Sequence, residues 1–372
     1  MFSFDFGKNI FFGLDIGTSA IKAVELELVN GKPFLSNYAW MPSDNLQKKS
    51  GAELVDLDLD LPRLLKRIIK EAKFRGKDAY VSIPASAGLI TLIDFPAMAD
   101  EDMEQAIRFE AHKYIPMPLD DVVLSWDKVE GETSGRSNYV AEKGNQDGGQ
   151  ESVSDDKVKV MLVAASKKKV IQYEKLVKDS GLRLRALETE SFSMVNSLIG
   201  NDLGTFMIVD IGARICNIIL VEKGAIKLNR NMDAGGRDIT MTISKSMGVD
   251  EEGAEMLKVS KRNFFSRESN INFPTLSLIS GEVLRMLQTY YKKDDPAKAR
   301  VDSIVLSGGT AGMTGIAEYF QSSLGIKTVI GNPLARINYN KKLDPVIDKI
   351  KTRFSVSLGL ALRGIDACSN IK

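Results

Sequence analysis

Apolar runs and polar corners alternate along this chain in an order that occurs twice. Residues 10–16, 20–29 and 33–41 read as three consecutive strands, with "VNGKP" (29–33) as the turn between the second and third. In "LPRLLKRIIKEAKF" (61–74) leucines and isoleucines recur at helical spacing opposite a basic face, which predicts an amphipathic helix. "DAYVSIPA" (78–85) predicts a strand that stops at Pro84. The second half repeats this order, with strands at 205–211, 215–222 and 225–231, helices from about 236, and "VDSIVLSGGTAG" (301–312) as a strand entering a glycine turn. That layout predicts a duplicated α/β domain.

Between the halves the pattern changes. "GLITLIDFPAMADEDMEQAIRFEAHKYIPMPLDDVVLSWDKVEG" (88–131) reads as strand, acidic-capped helix, proline-rich turn and strand. "KVKVMLVAAS" (157–166) adds a strand, and "KKKVIQYEKLVKDSG" (167–181) a helix that stops at Gly181. We read residues 88–180 as a small α+β unit inserted into a first half that spans 1–87. Residues 131–156, rich in Gly, Ser, Asn and Asp, read as a mobile loop with too little apolar surface to offset its ordering entropy. Residues 181–200 connect to a second half at 201–354, which carries a helical part at about 236–300. Residues 355–372 read as a helix returning to the first half.

Composition narrows the class without choosing within it. At 372 residues the chain exceeds what one core organises, and 44% hydrophobic with 27% charged residues is ordinary for a globular protein. A net charge of +1 gives no global reason for a nucleic-acid or acidic-membrane partner. Cys216 and Cys368 sit in apolar contexts and read as thiols of a reducing compartment. The lone His112 lies in a charged helix with no His/Cys cluster, which argues against zinc or haem. Neither a signal-peptide core nor a spanning run of apolar residues is visible, so a cytoplasmic protein without a transmembrane segment is expected.

The repeated element is a corner. "FFGLDIGTSAIKAVEL" (11–26) and "FMIVDIGARICNIILV" (206–221) each place Asp-Ile-Gly between two apolar runs. A hairpin this tight aims several backbone N–H groups into one concavity, which suits phosphate oxygens. Gly17 permits close approach, Thr18 and Ser19 add hydroxyls, and Lys22 adds charge. Asp15 makes chemical sense facing Mg²⁺ through water, and Asp210 with Gly212 closes on the same anion from the other side.

These corners, together with "VLSGGTAGM" (305–313), resemble the two phosphate motifs and the adenosine motif of the actin-like, sugar-kinase and heat-shock ATPase superfamily. The resemblance implies that Gly308, Gly309, Thr310 and Met313 pass beside the nucleoside. It places Glu255 and Lys258 of "EGAEMLK" (252–258) on ribose or base, one helical face apart. It also adds Gly235 and Gly236 to the nucleotide site and puts Glu190 of "ALETESFSMVNSL" (186–198) near an attacking water. "SVSLGLALRG" (355–364) resembles the second connecting helix, where Gly359 and Ala361 allow close packing.

Within that superfamily the chain is similar over nearly its whole length to the PilM family of type IV pilus assembly. The most specific stretch is "FPAMADEDMEQAIRFEAHKYIPMPLDDVVLSWDKV" (95–129), continued by 160–182 and 233–258. The implied fold is a duplicated actin-like ATPase fold with ribonuclease H-like halves and an FtsA-like inserted 1C subdomain. The implied function is an ATP- and Mg-binding scaffold that holds the cytoplasmic N-terminal peptide of the inner-membrane protein PilN. Through PilN it is tied to PilO and the pilus motor complex, and so recruited to the inner membrane, with a homo-oligomer also compatible. Phe95, Ile107, Tyr114, Ile115 and Met117 are the candidate peptide wall, with core of the insert the competing reading for each, and Tyr114 and Met117, beside prolines and hence near a loop, are the better candidates for exposure. One departure bears on turnover. Ala213, Arg214 and Ile215 stand where efficient ATPases carry small and hydroxyl residues, with Arg214 either against a phosphate or in solvent. ATP binding with at most slow hydrolysis is expected. The alternatives are an FtsA-like division protein, disfavoured by the short ending "DACSNIK" (366–372), and a metabolic kinase, for which no catalytic base stands out.

Overall fold

A computed structural model describes residues 10–42, 61–84, 87–115, 117–134, 157–266, 269, 271–293 and 301–369. The first elements are β1 (Ile10–Ile16), β2 (Ala20–Val29), β3 (Lys32–Pro42), α1 (Leu61–Glu71) and β4 (Asp78–Ile83). Then come β5 (Gly88–Pro96), α2 (Asp100–Ala111), β6 (Val122–Ser134), β7 (Lys157–Ser166), α3 (Lys167–Asp179), β8 (Arg183–Thr189) and α4 (Glu190–Leu198). The second half holds β9 (Thr205–Ile211), β10 (Cys216–Glu222), β11 (Ala225–Met232), α5 (Gly236–Met247), α6 (Glu251–Lys258) and α7 (Pro274–Lys293). The chain closes with β12 (Ser303–Ser307), α8 (Ile316–Leu324), β13 (Thr328–Ile330), α9 (Asp344–Ile350) and α10 (Ser355–Ser369).

The chain forms two units, Gly88–Lys168 and the remainder. The larger unit contains two five-stranded sheets on one plan, ordered β3-β2-β1-β4-β8 and β11-β10-β9-β12-β13. In each, three antiparallel strands are followed by two parallel ones. The likeness extends to the second hairpin turn of each sheet. Asn30-Gly31 and Lys223-Gly224 all have positive φ, the two-residue turn whose twist matches the strands it joins.

Packing follows the sequence pattern. Leu61, Leu65 and Ile68 line one face of α1 and are buried. α10 is rich in small residues because it lies directly on its neighbours. A Cβ at Gly13 would fall 2.0 Å from the Ser357 carbonyl oxygen, and one at Gly359 would fall 1.8 Å from that of Ser193. α10 thereby packs closely on both β1 and α4. β8 was expected only as a connecting segment. Its alternating charges hide it, yet it pairs in parallel with β4, and its Arg183 and Arg185 share Asp78 at 2.7 and 3.1 Å.

The smaller unit is a three-stranded antiparallel sheet, β5-β7-β6, with α2. Met103, Ile107 and Ala111 of α2 join Ile93, Phe95, Ile115, Val160 and Leu162 in its core. The unit spans Gly88–Lys168, so all but the first two residues of α3 fall in the larger unit, and Tyr173, Leu176 and Val177 of that helix are buried. β6 runs through Ser134 into the stretch expected as a loop, whose remainder, 135–156, lies outside the described residues. Among the described residues no helix is long and apolar enough to cross a membrane, and no group of His, Cys, Asp or Glu is placed to hold a metal ion by itself.

Candidate functional site

β1 ends in Asp15-Ile16-Gly17, and the chain turns through half-buried Thr18 and exposed Ser19 into β2. The Gly17 N–H donates to the Ala20 carbonyl at 3.1 Å and closes the turn. Asp15 is only 2% exposed. Lys22 stands directly across the hairpin and places Nζ 2.8 Å from Asp15 Oδ2, while Ser82 of β4 donates to Oδ1 at 3.1 Å. A carboxylate at the end of an apolar strand is tolerated because both of its oxygens are bonded.

The second corner has the same construction. The Gly212 N–H donates to the Ile215 carbonyl at 3.0 Å across Ala213 and Arg214. Arg214 is half-buried and meets no carboxylate among the described residues. Asp210 lies beside Ser307 of β12, whose hydroxyl bonds to it, and Ser355 Oγ lies 2.8 Å from Ser307 Oγ. α5 begins on this turn: the Gly236 N–H donates to the Gly212 carbonyl and the Arg237 N–H to that of Ala213, both at 2.8 Å. Gly235 is bonded by the Asp238 carboxylate at 2.9 Å, which fixes the first turn of the helix.

The two corners meet electrostatically at Lys22. Burial works against its charge, but Asp15, and beyond it Asp210 and Glu190, outweigh that and hold it above the ordinary lysine value. Asp210 is also raised, its carboxyl pushed up by burial and by Asp15, with Ser307 and Lys22 opposing. The buried Tyr173 phenol and the Cys216 thiol are likewise raised, first by burial and then by Glu190 and Asp15 for the one and Asp210 for the other. Three carboxylates from both halves, with one lysine among them, therefore share a polar centre walled by apolar sheets. Such a centre attracts a polyvalent cation and, around it, the oxygens of an anion.

The residues expected at the nucleoside form a neighbouring cluster. Lys258 is 5% exposed and bonds the Gly236 carbonyl at 3.0 Å, Thr240 Oγ1 at 2.8 Å and Glu255 Oε2 at 2.6 Å. Burial lowers its pKa, against the pull of Glu255. Thr240 also donates to Glu255 at 2.6 Å, so the pair at i and i+3 shares one hydroxyl. Gly308 has a φ of 87°, and a Cβ there would lie 2.4 Å from the Ile211 carbonyl oxygen, so glycine is required where β12 turns past β9. Thr310 and Met313 are buried in the turn that follows, and Gly309 is open on the side of Arg353.

Of the five residues named for a peptide wall, Phe95, Ile107 and Ile115 are buried in the core of the smaller unit. Tyr114 and Met117 expose 41% and 42%. A chain lying on this unit meets the second pair.

Several residues went unrecognised in the sequence. Ser82 and Ser307 hold the two aspartates, Asn217 occupies in the second hairpin the place of Lys22 in the first, and Thr240 joins Glu255 to Lys258. Arg353 lies 5.0 Å over the ring of Trp40, which is itself paired with Lys22 across β2 and β3. Ser307 stood inside the quoted "VLSGG"; the others carry no local signal, because only strand register brings them to the site.

Residues 13–141 and 146–365 match the model of a family described as type IV pilus assembly protein PilM. The structure is similar to that of a PilM–PilN type IV pilus biogenesis complex, with a TM-score of 0.75 and 25% identity over 95% of this chain and 98% of that one. It also shares the actin-like fold of MreB5 of Spiroplasma citri bound to ADP, with a TM-score of 0.54 and 15% identity over 98% of this chain and 99% of that one. Among curated proteins, the cell division protein FtsA of Enterococcus faecalis is 21% identical over 91% of this chain and 85% of its own length.

Proposed function

The chain belongs to the type IV pilus assembly protein PilM family, and we propose that it is a nucleotide-binding scaffold of the pilus machine that docks the cytoplasmic N-terminal peptide of PilN. The observation that carries the nucleotide part is the convergence of Asp15, Asp210 and Glu190 on Lys22 between two turns of matched construction. The residues present fit a magnesium–ATP complex. At Gly17 and Gly212 a side chain would crowd the turn, with a Cβ 3.2 Å from the Ala20 and 2.8 Å from the Ile215 carbonyl oxygen. In this reading Thr18, Ser19, Lys22 and the amides of both turns hold phosphate oxygens, while Asp15 and Asp210 hold the cation's water shell. Bound metal would supply charge neutralisation. Glu255, Lys258, Gly308, Gly309, Thr310 and Met313 line the nucleoside side, with Arg353 facing Gly309.

Turnover is slow in this proposal. Ala213 and Arg214 give the second turn no hydroxyl, and Glu190 is the one carboxylate offered to orient a water. The PilN part is supported by the similar structure, a PilM–PilN complex, and by the exposure of Tyr114 and Met117 on the inserted unit. Calorimetric titration with a synthetic PilN N-terminal peptide, with and without Mg·ATP, tests it. We expect saturable one-to-one binding, weakened by Tyr114→Ala and by Met117→Ala. No heat at any peptide concentration overturns the docking assignment.

A further inference from the structure

Residues 61–77 hold seven Lys and Arg against one Glu, a surplus of six in a chain whose total is +1, so everything outside this segment is net negative. Arg63, Lys66, Arg67 and Lys70 fall at i, i+3, i+4 and i+7 on α1, one stripe about 10 Å long at the helical rise. All four are exposed, opposite the buried Leu61, Leu65 and Ile68, and exposed Lys73 and Lys77 continue the charge past the helix end.

Two features bear on what this row of cations can meet. Some cations elsewhere are neutralised at close range, as where Arg285 reaches Glu282 at 2.6 Å, or where Arg183 and Arg185 share Asp78, while others, such as exposed Lys168, Lys175 and Lys245, meet no carboxylate among the described residues either. On the stripe Arg67 alone has such a partner, Glu71 at 2.8 Å; Arg63, Lys66 and Lys70 meet no carboxylate among the described residues. Second, the apolar residues of the helix are buried or half-buried, so the face offers cations without an aromatic or aliphatic anchor. Protein interfaces concentrate their energy in such anchors. A leaflet of anionic headgroups needs none, since mobile like charges arrange themselves around any row of cations.

We propose that the outer face of α1 is an electrostatic docking surface for an anionic phospholipid bilayer. This surface is separate from the nucleotide site and from PilN, and it would hold the protein against the membrane in its own right. Attraction of this kind is screened by salt and scales with the number of cations, each worth about a fivefold change in partitioning.

Co-sedimentation of the purified full chain with vesicles, without nucleotide or PilN peptide, tests it. One set contains about one-third phosphatidylglycerol in phosphatidylcholine and the other phosphatidylcholine alone. We expect binding to the first set at low salt, none to the second, and release as salt rises. Arg63→Glu/Lys66→Glu/Lys70→Glu, checked for an unchanged melting temperature, should reduce binding about a hundredfold or more. Wild-type protein left in the supernatant with the anionic vesicles overturns the proposal. So does a triple variant that binds like wild type, and so does capture by poly-glutamate with no vesicle binding, which assigns the stripe to an acidic protein instead. None of these outcomes bears on PilN docking.

Discussion

Lys22 and Asn217 occupy the same position in the two halves, each directly across a hairpin from the aspartate near the end of its first strand. Lys22 bonds its aspartate at 2.8 Å. Asn217 instead donates from Nδ2 to Ser191 Oγ at 3.2 Å, and its buried Oδ1 meets no partner among the described residues. The duplicated frame persisted while the chemistry diverged, with positive charge on one side and a neutral amide on the other. In the proposed nucleotide site, the positive charge at this position of the hairpin therefore comes from the first half alone.

Lys22→Met should weaken nucleotide binding about tenfold or more and cost the fold about 2 kcal/mol, because Asp15 is left buried with Ser82 alone. Adding Asp15→Asn should recover the stability without the binding. Denaturant unfolding beside nucleotide titration reads both quantities, and recovery of binding in the double variant would contradict the assigned roles.

Asp210→Asn should trade function for stability. Burial raises the Asp210 carboxyl above its ordinary value, so the folded state holds its proton more tightly than the unfolded state. The resulting cost is absent below the ordinary carboxylate range, grows as pH rises through the folded value, and is constant above it. The asparagine variant should melt about 2 °C higher than wild type at neutral pH, with the gap closing towards pH 4, and should bind Mg·nucleotide about tenfold more weakly. Melting curves across pH check the first statement, and titration checks the second.

Glu25 is the contrasting carboxylate. It is buried on β2 and accepts from the Arg75 and Gly76 N–H groups at 2.7 and 2.8 Å and from Ser36 Oγ at 2.8 Å, with the Arg75 guanidinium alongside. Its work is to fix the turn after α1. Glu25→Ala should cost about 3 kcal/mol by chemical denaturation while leaving the nucleotide affinity of the folded fraction unchanged.

The strands and both corners were legible because their signals are local: an apolar run, Asp-Ile-Gly, a second apolar run. Asn30-Gly31 and Gly308 mark turns by composition alone. β8 was not legible as a strand, since Arg183 and Arg185 interrupt its apolar pattern and are neutralised by Asp78 on β4. Phe95, Ile107 and Ile115 show the same limit in the inserted unit, where an apolar residue beside a proline-rich turn reads alike whether it lines a core or a groove. Ser82, Arg353 and Asn217 are reached only through register and through the crossing of distant elements. Much of the site's supporting shell is of this kind.

The central claim is that the two glycine turns jointly hold one nucleoside triphosphate, and calorimetric titration of Mg·ATP into wild type, Gly17→Val and Gly212→Val tests it most directly. A Cβ would lie 3.2 Å from the Ala20 oxygen at the first position and 2.8 Å from the Ile215 oxygen at the second, so each valine spoils one turn. We predict one nucleotide per wild-type chain and about tenfold or greater loss of affinity in each variant, with melting curves showing that both remain folded. Wild-type affinity in both folded variants would contradict the account.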